Sequence, residues 1–158
     1  MPSCSYSSNI RAANNVVNLS NDGGNRLSVQ ILSGQFITGG VSAGDAIYFD
    51  VGMQRYNKSM ADSPSTAEVF GVVESLDASG NGTVVMLGSI GLTGFFQMSD
   101  GGGGGHDIFF LSGTTAGKLQ SLAPTKDGHI VKAVYQTAPH GNYTGAVMNY
   151  IGYKVPTT

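Results

Sequence analysis

The stretch Gly44-Asp45-Ala46-Ile47-Tyr48-Phe49-Asp50 has a counterpart 61 residues later, Gly105-His106-Asp107-Ile108-Phe109-Phe110-Leu111. The offset holds onward without a gap. Gly52 falls on Gly113, and Val69-Phe70-Gly71-Val72-Val73 falls on Ile130-Val131-Lys132-Ala133-Val134. Further on, Gly80-Asn81 falls on Gly141-Asn142, Thr83 on Thr144, and Ile90-Gly91 on Ile151-Gly152. Nine positions are identical between 45–92 and 106–153. Two β-rich segments of similar composition share some identities by chance. The ungapped register and the repeated Gly-Asn turn favour an internal duplication.

Each copy has one layout. An aromatic strand (Ile47 to Phe49; Ile108 to Leu111) precedes a polar, irregular stretch. A β-branched strand follows (Val69 to Val73; Ile130 to Tyr135), and a Gly-Asn turn reverses the chain into a closing strand (Thr83 to Leu87; Ala146 to Tyr150). No window carries an apolar i, i+3, i+4, i+7 stripe long enough for a helix. Short strands with glycine-rich turns predict an all-β fold, a β-sandwich or barrel built from two similar units.

Outward from the repeat, Leu27, Val29 and Ile31 alternate with Ser28 and Gln30, the period of a half-buried strand. Residues 1–26 are rich in Ser and Asn and read as an extended N-terminal arm. Its apolar points, Tyr6, Ile10, Val16, Val17 and Leu19, are more than a linker needs and mark it as a partner interface, by strand addition to a neighbouring sheet. The alternative is that Val16 to Leu19 pair with Leu27 to Ile31 across the turn Asn21-Asp22-Gly23-Gly24-Asn25. The expected division is therefore the arm at 1–26, a first β unit at 27–99, a glycine-rich loop or hinge at 100–105, and a second β unit at 106–158. The adjacent pair Phe95-Phe96 abuts the glycine run and is a further candidate for the interface.

Composition narrows the function. Of 158 residues only 11% are charged, against a usual quarter, and net charge is −2. No basic patch is available to neutralise phosphates, so nucleic acid is not an expected partner. No apolar run approaches the ~20 residues that span a bilayer, so no membrane is expected either. The N-terminal residues carry neither a basic region nor an apolar core of a signal peptide, and the single Cys4 has no disulfide partner. Synthesis in a reducing cytoplasm is the expectation.

Candidate chemistry is sparse. Gly101 to Gly105 lack the preceding strand, following helix and Gly-Lys-Ser/Thr of a phosphate loop. His106, His129 and His140 are far apart with no ligand spacing, and His129 and His140 read as surface positions. Serines are plentiful, but none sits in a G-x-S-x-G elbow. Glu68 and Glu74 flank one strand on the same face, about 20 Å apart, too far for a glycosidase pair, and read as solvated strand ends. The expectation is no catalytic residue, no metal site and no cofactor.

Two phrases, Leu111-Ser112-Gly113-Thr114-Thr115-Ala116-Gly117 and Ala123-Pro124-Thr125 with Gly128-His129-Ile130-Val131, resemble a module common in virion proteins of tailed bacteriophages. The run from Gly44 to Leu92 resembles it less closely, and together the likeness covers about 44–153. Such modules occur in capsid cement (decoration) proteins and in tail fibres or spikes. The resemblance implies a β structural protein without catalytic residues, binding the major capsid protein on the virion surface as a homotrimer. The alternative it leaves open is a tail-fibre or spike component that binds a host receptor or glycan. Fibres are usually longer, with coiled-coil or repeat stalks that this chain lacks.

Overall fold

The computed structural model describes residues 8–12, 15–21, 26–91, 108–137, 144–148 and 150–157. Among these there is no α-helix, and one 3-10 turn spans Ser33–Gln35. The strands are β1 (Ser8–Ala12), β2 (Asn15–Asn21), β3 (Arg26–Ile31), β4 (Ala46–Asp50), β5 (Arg55–Lys58), β6 (Gly71–Leu76), β7 (Gly82–Gly91), β8 (Ile108–Leu111), β9 (Leu119–Gln120), β10 (Ile130–Val131), β11 (Ala133–Thr137), β12 (Thr144–Val147) and β13 (Tyr153–Lys154). The fold is all-β. Eight strands form one curled antiparallel half-barrel sheet in the order β1-β2-β3-β7-β12-β11-β8-β9, and β6, β4 and β5 branch from β7.

The two repeated segments share a strand order. The first runs β5-β4-β6-β7 and the second β9-β8-β11-β12. Their pairing differs by a slip of two to four residues. Val72 faces Val85 in the first unit, so the offset would set Ala133 opposite Ala146, yet Ala146 faces Gln136. Likewise Asp50 faces Arg55, so Leu111 should face Ala116, and it faces Leu119 instead.

The units are joined through β7, whose first half pairs with β6 and whose last residues pair with β12. Between these halves the strand is irregular. Leu27 faces Leu87 while Ser28 faces Val85, so Met86 is an extra residue, a β-bulge. Gly88, which faces both Arg26 and Val147, has φ +92°, where a side chain is disfavoured. Strict alternation would put Val85 and Ile90 on opposite faces. The bulge brings them into one buried cluster.

The centre of the first unit is buried on both faces, which is why Val72-Val73 and Val84-Val85 read as unbroken apolar pairs. Ala46, Val72 and Val85 join one cluster with Phe109, Leu111, Val134 and Tyr135 of the second unit. Ile47, Val73 and Val84 join another with Val29, Ile31, Phe36 and Tyr56. Tyr56 anchors the latter, its ring centroid 4.9 Å from Phe70 and 5.2 Å from Phe49, and burial pushes its hydroxyl pKa up. Each such side chain contributes roughly 1.5–3 kcal/mol on full burial.

The Gly80-Asn81 turn forms as expected. The Asp77 carboxylate accepts hydrogen bonds from the Ser79 N–H (2.8 Å), the Asn81 N–H (2.9 Å) and the Asn81 amide (2.9 Å), which hold its pKa below the usual carboxylate range. Gly80 takes the left-handed position at φ +80°. Its counterpart Gly141-Asn142 and the glycine run lie outside the described residues.

Val16 to Leu19 lie in β2, which pairs with β3 of the same chain, Leu19 facing Val29 and Asn18 facing Gln30. The arm thus folds back as a hairpin, the alternative reading of this stretch. β2 takes the edge of β3, with Asn21 facing Leu27. Ile10 lies in β1, facing Val17.

Candidate interaction surface

Several contacts between the two units are built from the residues that carry the resemblance. Asp45, fully buried, accepts a hydrogen bond from the Ser42 N–H (2.8 Å) and pairs with Lys118 (2.5 Å) and Lys58 (3.4 Å). Gly117 passes over this carboxylate at φ +78°, and a Cβ there would lie 3.0 Å from Asp45 Cγ. Its carbonyl accepts from the Ala46 N–H (2.8 Å), and its own N–H donates to the Ser59 carbonyl (2.7 Å). The Ser112 carbonyl accepts from Ala61 N–H, and the Ala61 carbonyl from Ile130 N–H, both at 2.8 Å. The Ser112 hydroxyl caps its own loop, accepting from the N–H groups of Thr114 (3.2 Å) and Thr115 (3.1 Å). These residues hold the body together and leave contact with a partner to other surfaces.

One such surface is apolar. The turn at Gly128 (φ +80°) leads into β10, which pairs with β13, Ile130 facing Lys154 and Val131 facing Tyr153. The ribbon is extended by the Val155 N–H, which donates to the His129 carbonyl (2.7 Å). Gly152 crosses this ribbon so closely that a Cβ would meet Ile130 Cγ2 at 2.8 Å. The crossing turns its neighbours outward. Tyr150 is 58% exposed, Ile151 98% and Tyr153 65%. Beside them a groove of about 310 Å³ is lined by Pro64, Ala67, Glu68, Ile130 and Lys132. Three exposed apolar side chains within four residues make the kind of patch that contact with another macromolecule covers.

A second, smaller apolar tip sits on the β4–β5 hairpin, where Val51 and Met53 are exposed beside a groove lined by Ile37, Thr38, Arg55 and Asn57. Asp50 holds this turn by accepting from the Met53 N–H (3.0 Å), the main reason its pKa is lowered.

Of the sequence-derived interface residues, Ile10, Val16, Val17 and Leu19 lie together in the β1–β2 hairpin at one end of the long sheet. Tyr6, Phe95 and Phe96 lie outside the described residues, as do His106 and His140. His129 is not the surface residue expected. It is 7% exposed, its ring packed on Gly113, because the preceding turn folds it inward. Glu74 is not a solvated strand end but pairs with Arg26 at 2.5 Å, whereas Glu68 is exposed. Among the described residues no three His, Cys, Asp or Glu side chains converge as metal ligands. Sequence reasoning missed the patch at Tyr150–Tyr153 and the Asp45–Lys118 pair. The patch had one signal, the alignment of Ile151 with Ile90.

No protein-family model, curated protein or solved structure matches the chain.

Proposed function

We propose that the chain is a virion structural protein of a tailed bacteriophage, a capsid cement (decoration) protein that binds and stabilises the shell of the major capsid protein. The observation that carries this reading is the set of exposed apolar side chains at Tyr150, Ile151 and Tyr153, the last on β13 of the two-stranded ribbon and the others just before it. Support also comes from the place of the phage-like phrase at Leu111 to Gly117, which ties the two β units into one body. A cement protein acts through contact alone, and repetition of a modest contact over a shell lattice supplies avidity.

The test is co-sedimentation of the purified chain with empty capsids of the parent phage. Saturable pelleting, with stoichiometry set by the capsid lattice, supports the reading. Pelleting with tails and not with capsids favours the fibre or spike alternative. Binding to neither particle overturns both.

A further inference from the structure

Lys132 lies in the link between β10 and β11, and only 8% of its surface is exposed. Its backbone carbonyl is satisfied, accepting from the Leu111 N–H (2.9 Å). Its ammonium is not. Among the described residues no hydrogen bond or ion pair reaches Lys132 Nζ, whereas Lys58 and Lys118 share Asp45. The nitrogen is also not sealed in. Among the described residues Gln35 Oε1 alone is a fully buried side-chain polar atom without a partner. The stem of Lys132 is therefore buried, and its charged head opens into the groove beside Tyr150. Gly152 lies over the base of that stem, where a Cβ would come 3.3 Å from Lys132 Cβ.

The groove around this ammonium is apolar. Ile130, Tyr150 and Ile151 line it with Pro64 and Ala67, and Glu68 is its other charged residue. Glu68 is exposed and makes no ion pair with Lys132. A cation so placed has given up much of its water and gained no anion in return. A neutral occupant would leave it so. A phosphate would bring more charge than one lysine answers, close to the Glu68 carboxylate. The group that fits is a single carboxylate carried on an apolar stem.

We propose that this groove receives one Asp or Glu side chain from an extended segment of the major capsid protein, with Lys132 as its counter-ion. Apolar neighbours in that segment would cover Ile130, Tyr150 and Ile151. The identity of the partner rests on the cement-protein reading, and the carboxylate chemistry does not. Glu68 adds a condition: the segment carries one acid among apolar residues, since a run of acids would be repelled. A charge-assisted hydrogen bond at a partly desolvated ammonium should separate carboxylate from amide by about 10- to 100-fold in affinity.

The experiment uses the full chain and two probes, the blocked tripeptides N-acetyl-Leu-Glu-Leu-amide and N-acetyl-Leu-Gln-Leu-amide. Nuclear magnetic resonance titration follows the backbone amides of Ala67, Lys132 and Gly152. The glutamate peptide should shift these signals saturably and bind about tenfold or more tightly than the glutamine peptide. Lys132→Met keeps the stem and should abolish the preference, and Lys132→Arg should retain it. Glu68→Gln removes the like charge and should tighten the glutamate peptide. No saturable shift with either peptide, equal affinity for both, or an intact preference in Lys132→Met overturns the proposal. Co-sedimentation with empty capsids of the parent phage then separates the partner from the site. Lys132→Met should pellet less than the wild type. Peptide discrimination by a wild type that does not pellet overturns the cement reading and upholds the carboxylate site. Lys132→Met pelleting like the wild type overturns the capsid protein as the occupant.

Discussion

Lys118 Nζ lies 2.5 Å from Asp45 Oδ1, across 73 residues of sequence, and so links the loop after β8 to the residue just before β4. The two partners differ in burial. Asp45 has no exposed side-chain surface, whereas Lys118 and Lys58 retain 19% and 29%.

That asymmetry orders two substitutions. Lys118→Ala leaves a buried carboxylate with Lys58 3.4 Å away and the Ser42 N–H, and should cost about 3 kcal/mol, the lower end for a broken buried pair. Asp45→Asn should cost less, because both lysines can turn to water. Urea denaturation measures both. The reverse order would contradict the account of this pair.

Acid should loosen two turns. Asp50 and Asp77 both titrate below their ordinary value of 3.8 in the folded chain. A carboxylate with a depressed folded pKa stabilises the fold above its unfolded pKa and loses that contribution as pH falls through the folded value. Stability should therefore decline below about pH 4. Asp77→Asn should have a shallower decline in melting temperature between neutral pH and pH values below its unfolded pKa. An acid limb identical to that of the wild type would remove Asp77 from the explanation.

Two glycines make a matched pair for testing close packing. A Cβ at Gly145 would overlap the Tyr135 ring and the Gln136 carbonyl, whereas one at Gly34 would meet nothing within 4 Å. Gly145→Ala should destabilise by about 2 kcal/mol through overpacking. Gly34→Ala should leave the melting temperature nearly unchanged.

The two isoleucines aligned by the sequence repeat should respond oppositely in the isolated chain. Ile90→Ala should cost about 2–5 kcal/mol by opening a cavity, since Ile90 is 1% exposed. Ile151→Ala at low protein concentration should leave stability unchanged, since Ile151 is 98% exposed. Equal losses at both sites would contradict the placement of Ile151.

Much of the fold was legible because it depends on local pattern. The alternation holds over Val29, Gln30 and Ile31, but Ser28, expected to face solvent, is 2% exposed, next to the register shift between Leu27 and Ser28. The Gly80-Asn81 turn was legible from turn chemistry. Leu27 belongs to the same alternation yet is 37% exposed, because it lies at the end of the strand, beyond the buried cluster. The bulge at Met86 was not legible, since it depends on how β7 serves two partners in succession. Nor was the tie between Asp45 and Lys118, which no periodicity relates. The inward position of His129 depends on the space left by Gly113, a tertiary fact. Of the proposed contact residues, those of the arm stood out as apolar points in a polar stretch. The patch at Tyr150–Tyr153 was hidden because its residues look like those of any closing strand.

The most direct test of the cement reading is a cryo-electron microscopy map of the parent particle at a resolution that identifies a β fold of this size. The chain should occupy the outer capsid surface over joints between major capsid subunits, with the β10–β13 ribbon covered and Ile151 no longer exposed to solvent. Density for the chain confined to the tail, or its absence from the particle, would contradict it.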